Sequence, residues 1–89
     1  MKPRIQNTTR ILYDLLQNTK NTKKKLVENT GLSLTQVNNT VKFLKAGGLI
    51  KVDYLKTEKK PYRKAMYSIP SGKYKYTLKL VQWRLKNVH

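Results

Sequence analysis

Side chains able to do covalent or acid–base chemistry are scarce in this chain. Its acids are Asp14, Glu28, Asp53 and Glu58, its one histidine is His89, and cysteine is absent. The acids are scattered, with no helical or hairpin pair suited to proton transfer or to a two-metal site. No nucleophile has a base beside it, no glycine-rich run offers a phosphate cradle, and thiol or histidine metal ligands are missing. The chain therefore reads as a non-enzyme with no cofactor, no metal and no small-molecule ligand in evidence. Cations and neutral hydrogen-bonding groups are what it has in quantity. Thr35, Gln36, Asn38, Asn39, Lys42 and Lys45 fall together in a run without a single acid. An amide donates and accepts at once, which suits a partner edge presenting both kinds of group, and a lysine suits a phosphate. A second basic cluster, Lys59, Lys60, Arg63 and Lys64 around Tyr62, and a third, Lys23, Lys24 and Lys25 with Ser33 nearby, repeat the theme.

The overall balance agrees with this local chemistry. Twenty Lys and Arg stand against four acids, a formal net charge of +16. So much like charge repels itself, and a polyanion relieves the repulsion. Nucleic acid and an anionic membrane surface are the two candidate polyanions. No apolar run approaches the ~18 residues of a membrane span, and the N-terminus lacks a signal-peptide core. The expectation is a soluble, cytoplasmic, nucleoid-associated protein with no membrane partner. A bias toward Lys, Asn, Tyr and Ile fits an AT-rich genome, such as that of an archaeal virus or plasmid. Eighty-nine residues make one domain with one small core. With disulfides and metals excluded, a second subunit is the remaining aid to stability, and a homodimer is expected.

The elements that must position these residues follow from periodicity. Ile5, Ile11, Leu12, Leu15 and Leu16 recur at helical spacing, which predicts a first helix over Arg4 to Asn18 with Pro3 in its lead-in. Asn18 to Asn21 reads as a break. Thr22 suits the N-cap of a short second helix to about Thr30, with Leu26 and Val27 as its apolar contacts and Gly31 as its left-handed stop. Ser33-x-x-Gln36 has the spacing of a capping box and opens a third helix to Ala46. Val37, Val41 and Leu44 form its buried stripe, so Thr35, Gln36, Asn38, Asn39 and Lys42 lie opposite. After Gly47-Gly48 the period changes to two: Ile50, Val52 and Tyr54, then Ala65, Tyr67 and Ile69, make a β-hairpin whose tip is the long basic stretch Lys56 to Lys64.

The last segment reads two ways. Tyr74, Tyr76, Leu78 and Leu80 alternate as on a strand, but Val81, Trp83 and Leu85 break the phase. As a helix, which the spacing favours, Tyr74, Leu78, Val81, Leu85 and Val88 form one apolar stripe. Tyr76, Leu80 and Trp83 form a second stripe roughly opposite, with lysines between. One face can pack on the domain; the other needs a second chain, unless both fold into one core. Residues 71–89 are accordingly expected to serve dimerisation, through Tyr74, Leu78, Val81, Leu85 and Val88, beside a domain spanning residues 1–70.

Two helices, a glycine turn, a third helix, then Leu44-x-x-x-Gly48-Leu49-Ile50 leading into a basic hairpin resemble the winged helix-turn-helix superfamily, its ArsR-like and MarR-like transcriptional regulators in particular. The resemblance covers residues of about 5 to 70. One departure is Val27, where the pattern has alanine at a close helix approach. The fold implied is α+β, mostly α: a three-helix core plus a two-stranded β wing, with a C-terminal helix added. The resemblance also implies a division of labour on double-stranded DNA. The helix from Ser33 to Ala46 enters the major groove, where Gln36, Asn38 and Asn39 read adenine edges and Thr35 meets a thymine methyl or a phosphate. Lys42 and Lys45 hold phosphates. The wing, through Lys59, Lys60, Tyr62, Arg63 and Lys64, follows the backbone or enters the minor groove. Lys23, Lys24, Lys25 and Ser33 clamp a phosphate at a helix start.

The expected function is sequence-specific duplex binding by a homodimeric repressor. Non-specific nucleic-acid binding, architectural or replicative, is the alternative that charge alone would supply. A protein-binding winged helix fits less well, because the polar helix face lacks large apolar anchors. RNA fits less well because side chains cannot read its deep, narrow major groove.

Overall fold

The computed structural model of the chain describes residues 6–60 and 63–86. Helix α1 spans Asn7–Asn18 and is followed by a two-residue strand, β1, at Lys20–Asn21. Helix α2 spans Lys23–Thr30 and helix α3 Leu34–Ala46. Strands β2, Lys51–Lys56, and β3, Arg63–Ser68, form the hairpin; a 3-10 turn at Ser71–Lys73 then leads into helix α4, Tyr74–Lys86. The last segment is thus a helix. Among the described residues no helix is long and apolar enough to cross a membrane.

Most element boundaries fall where the cap residues put them. The Thr22 hydroxyl accepts from the Lys25 amide at 3.2 Å. Gly31 closes α2 at φ 74°, a left-handed conformation that glycine adopts without steric cost. Ser33 and Gln36 complete the capping box reciprocally, at 3.1 and 2.9 Å. Helix α1 departs from expectation. Gln6 is extended, with ψ 149°, so the helix begins at Asn7; Pro3, Arg4 and Ile5, which the periodicity puts at its start, lie outside the described residues. Gln6 makes no side-chain cap bond, and the Asn, Thr and Thr that follow are weak helix formers.

One core joins all four helices to the sheet. Ile11, Leu12 and Leu15 of α1 meet Leu26 of α2, Leu32 of the turn, and Val37, Val41 and Leu44 of α3. Ile50, Tyr67 and Val81 complete the cluster. Val81, grouped with the dimer stripe on sequence grounds, is only 2% exposed and belongs to this core. The reason is the way α4 lies along α1. Its inward line is Thr77 and Val81, both buried, with Arg84 reaching the α1 hydroxyls of Thr8 at 2.9 Å and Thr9 at 3.3 Å. Leu80 and Leu85, taken from the two different stripes, flank that line against the core.

The sheet has three antiparallel strands in the order β1-β3-β2, one more than a simple hairpin. Strand β1 pairs Lys20 with Ser68 and Asn21 with Tyr67. Two residues are too few to show a period, so this strand leaves no trace in the sequence pattern. It is anchored from beneath. The buried carboxylate of Asp14 accepts amide hydrogen bonds from Asn18 and Asn29, each at 2.9 Å, and from Asn21. This network ties α1, β1 and α2 together. A carboxylate this deep requires such donors, and here neutral amides supply them without a counter-charge.

Candidate nucleic-acid interface

Helix α3 presents its polar side to solvent because Val37, Thr40, Val41 and Leu44 hold the opposite side in the core. Thr35, Asn39, Lys42 and Lys45 are all exposed. The two other amides singled out from sequence are less free. The Gln36 carbonyl accepts from the Ser33 amide in the capping box. Asn38 is half-buried, with its Oδ1 shielded from solvent and unpaired. Reading an adenine edge takes both atoms of an amide. Of the three candidates, Asn39 is therefore the one with its side chain clear of such a commitment. The face also carries a residue that the polar pattern hid. Phe43 is 69% exposed. Its position was legible, since it falls outside the Val37, Val41, Leu44 stripe that defines the inward side.

The hairpin follows α3 through a left-handed Gly48, φ 74°. Its register sorts the basic residues onto two faces. Val52 pairs with Tyr67, Tyr54 with Ala65 and Lys56 with Arg63, so these six share one face. Tyr67 is buried, which makes Lys56 and Arg63 the outward continuation of the core side of the sheet. Lys64, opposite Leu55, lies on the other face. The tip is shorter than the sequence suggested, because Lys56, Arg63 and Lys64 are strand residues. Lys59 and Lys60 are exposed at the turn, where the Thr57 hydroxyl donates to the Lys59 carbonyl at 2.7 Å. Tyr62 lies outside the described residues.

The lysines at the start of α2 have partners of their own. The Lys23 ammonium sits 5.7 Å from the centre of the Tyr67 ring, a cation–π distance. Lys25 pairs with Glu28 at 3.5 Å, but both side chains are about half exposed or more, so water screens the pair. Lys24 is exposed. The Ser33 hydroxyl is engaged as the cap of α3. A phosphate clamp at this end has Lys24 free and Lys25 weakly held, while Lys23 leans on the sheet.

A second surface lies between α1 and α4. Tyr13, Leu16, Tyr74, Leu78 and Leu85 line a groove of about 400 Å³ beside Gln17 and Gln82. Tyr13 and Tyr74 are nearly half exposed, and Leu78 is 37% exposed. Tyr74, Leu78 and Leu85 come from the stripe assigned to a dimer, whereas Val88 lies outside the described residues. Among the described residues no cluster of His, Cys, Asp or Glu is fit to hold a metal ion.

No family model matches this chain, and no curated protein matches it. Solved structures do. The circadian clock associated protein Pex from Anabaena superposes with a TM-score of 0.73 at 22% identity, over 90% of this chain and 75% of that one. A MarR family regulator from Neisseria meningitidis gives 0.66 at 22% identity, over 90% and 54%. ZitR from Lactococcus lactis, in complex with DNA, gives 0.65 at 20% identity, over 96% and 56%. The chain thus spans only slightly more than half the length of the last two. Each likeness covers nine-tenths or more of this chain, and on that ground the chain has the winged helix-turn-helix fold.

Proposed function

We propose that the chain is a sequence-specific duplex-DNA-binding transcriptional regulator that acts as a homodimeric repressor. The observation that carries this reading is the outer face of α3: Thr35, Asn39, Lys42 and Lys45 exposed together, with no acid anywhere on the helix. Such a face suits the major groove, where base pairs offer mixed donors and acceptors between two rows of phosphates. Lys42 and Lys45 set the position on the backbone, and Asn39 reads a base. Lys59, Lys60, Arg63 and Lys64 extend the contact along the duplex, with Lys24 at the far side. The solved complex of ZitR with DNA, a chain of the same fold, supports this use of the fold. The apolar groove of Tyr13, Leu16, Tyr74, Leu78 and Leu85 is the dimer surface. Two-fold pairing places two α3 helices on successive turns of one duplex. Repression by occupancy asks nothing further of the protein than to hold its site.

Selection of bound duplexes from a random pool, with the oligomeric state measured alongside, tests the proposal. The expected product is a two-fold symmetric sequence with half-sites ~34–36 Å apart or a multiple of that. It should outcompete random duplex at ~0.2 M salt, where binding by charge alone weakens sharply. Equal affinity for every duplex, collapsing as salt rises, would replace this reading with non-specific nucleic-acid binding.

A further inference from the structure

We infer that Phe43 is a specificity residue of α3 that reads the 5-methyl group of thymine in the major groove; this rests on the duplex-binding reading above. Phe43 is the most exposed large apolar side chain among the described residues, at 69%. A phenyl ring left in water forfeits the burial that normally justifies it. It cannot turn inward, because Val37, Thr40, Val41 and Leu44 already fill the core side of the helix. At 100° per residue, Thr35, Asn39 and Phe43 form one row along the helix at i, i+4 and i+8, while Asn38, Lys42 and Lys45 form the row beside it.

The chemistry of the two rows narrows what Phe43 can meet. Lys42 and Lys45 stand in the adjoining row, and α3 carries no acid. Its partner must therefore be anionic and yet offer an apolar group at the place where an amide finds donors and acceptors. The major groove of duplex DNA meets both conditions, and the thymine methyl is the alkyl group it displays. Spacing makes the assignment more specific. Four helical residues advance about 6 Å, close to two base steps of ~3.4 Å. The thymine read by Phe43 thus lies about two base pairs from the base read by Asn39.

The test uses the full chain and the duplex obtained by random selection, resynthesised with uracil in place of thymine. Uracil removes the methyl and keeps every hydrogen-bonding group. The wild type is expected to lose about fourfold in affinity for each methyl it contacts, the worth of one buried carbon. F43A is expected to lose discrimination at one thymine, and F43L to keep it. Exposure of the ring leaves the fold of both variants intact, which a thermal melt verifies. Equal wild-type affinity for both duplexes overturns the inference while leaving duplex binding standing, and so does an unchanged thymine-to-uracil ratio in F43A. Selection that enriches no duplex at all overturns the DNA reading and this inference together, and directs Phe43 to an acidic protein surface.

Discussion

Asparagine serves in two contrasting regions of this molecule. Around α1, β1 and α2, Asn18, Asn21 and Asn29 donate to one buried carboxylate, Asp14. On α3, Asn39 stands in solvent and its neighbour Asn38 is half in and half out. The residue type is the same, and what separates the regions is whether an acceptor lies within reach inside the chain. Where one does, the amides act as internal ties that replace a missing counter-charge. Where none does, their donors and acceptors are left for another molecule. An amide-rich sequence is therefore a signal of binding only after the amides satisfied at home have been subtracted.

Removing the acceptor is the strongest way to break the first region. D14A leaves three amide groups without their carboxylate and opens a void under β1. Asn21, the buried amide of the three, loses its partner at a cost of about 1–3 kcal/mol, and the exposed Asn18 and Asn29 add less because water replaces the carboxylate, so a loss on the order of 3 kcal/mol in stability is expected. Chemical denaturation should show it as a lower midpoint, and the thermal midpoint should fall by more than ~10 °C. The fraction that remains folded should bind duplex DNA as the wild type does, since Asp14 faces none of the basic surface. A stability within ~0.5 kcal/mol of wild type would mean that the network is dispensable. The second region gives the mirror image. N39A should leave the melting curve in place and reduce the preference for selected over scrambled duplex by about 1–3 kcal/mol. If melting and specificity moved together in both variants, the division between the two regions would fail.

Much of the fold was legible because the strongest signals were local. The Thr22 cap, the Ser33–Gln36 box and the left-handed stop at Gly31 each act within four residues, so the sequence alone places them. Strand β1 was not legible, because a two-residue strand is defined by its partner, Ser68 and Tyr67, and has no period of its own. Asp14 reads as one of four scattered acids for a related reason: Asn18 lies one helical turn away on α1, but Asn21 and Asn29 come from β1 and α2, which only the fold brings to it. On α4, two apolar stripes were visible, but their division was not. The helix packs with Thr77 and Val81 inward, so each stripe gives one residue, Leu80 or Leu85, to the flank of the core. At the interface, residue types were readable and their availability was not. Gln36 and Asn38 have the right chemistry, yet one is bound in a cap and the other is partly covered.

Two smaller effects sharpen the contrast further. Replacing Lys59 and Lys60 by alanine touches neither asparagine region and should weaken every duplex alike. The slope of log affinity against log salt should fall by about one for each lysine that holds a phosphate. A loss confined to the selected sequence would instead make the wing tip a reader of bases. The mildest change concerns Thr19, between Asn18 and Asn21, the only non-glycine among the described residues with positive φ, at 63°. A β-branched residue is strained there by about 1–3 kcal/mol, and glycine removes that strain while adding up to ~1 kcal/mol of chain entropy to the unfolded state. T19G is expected to raise stability by about 1 kcal/mol, read as a higher denaturation midpoint with an unchanged slope. The gain should vanish in a D14A background. There the amides of Asn18 and Asn21 no longer converge on a carboxylate, and the turn between them has no reason to be held in its strained form. An equal gain in both backgrounds would show that the strain at Thr19 is independent of the amide network it joins.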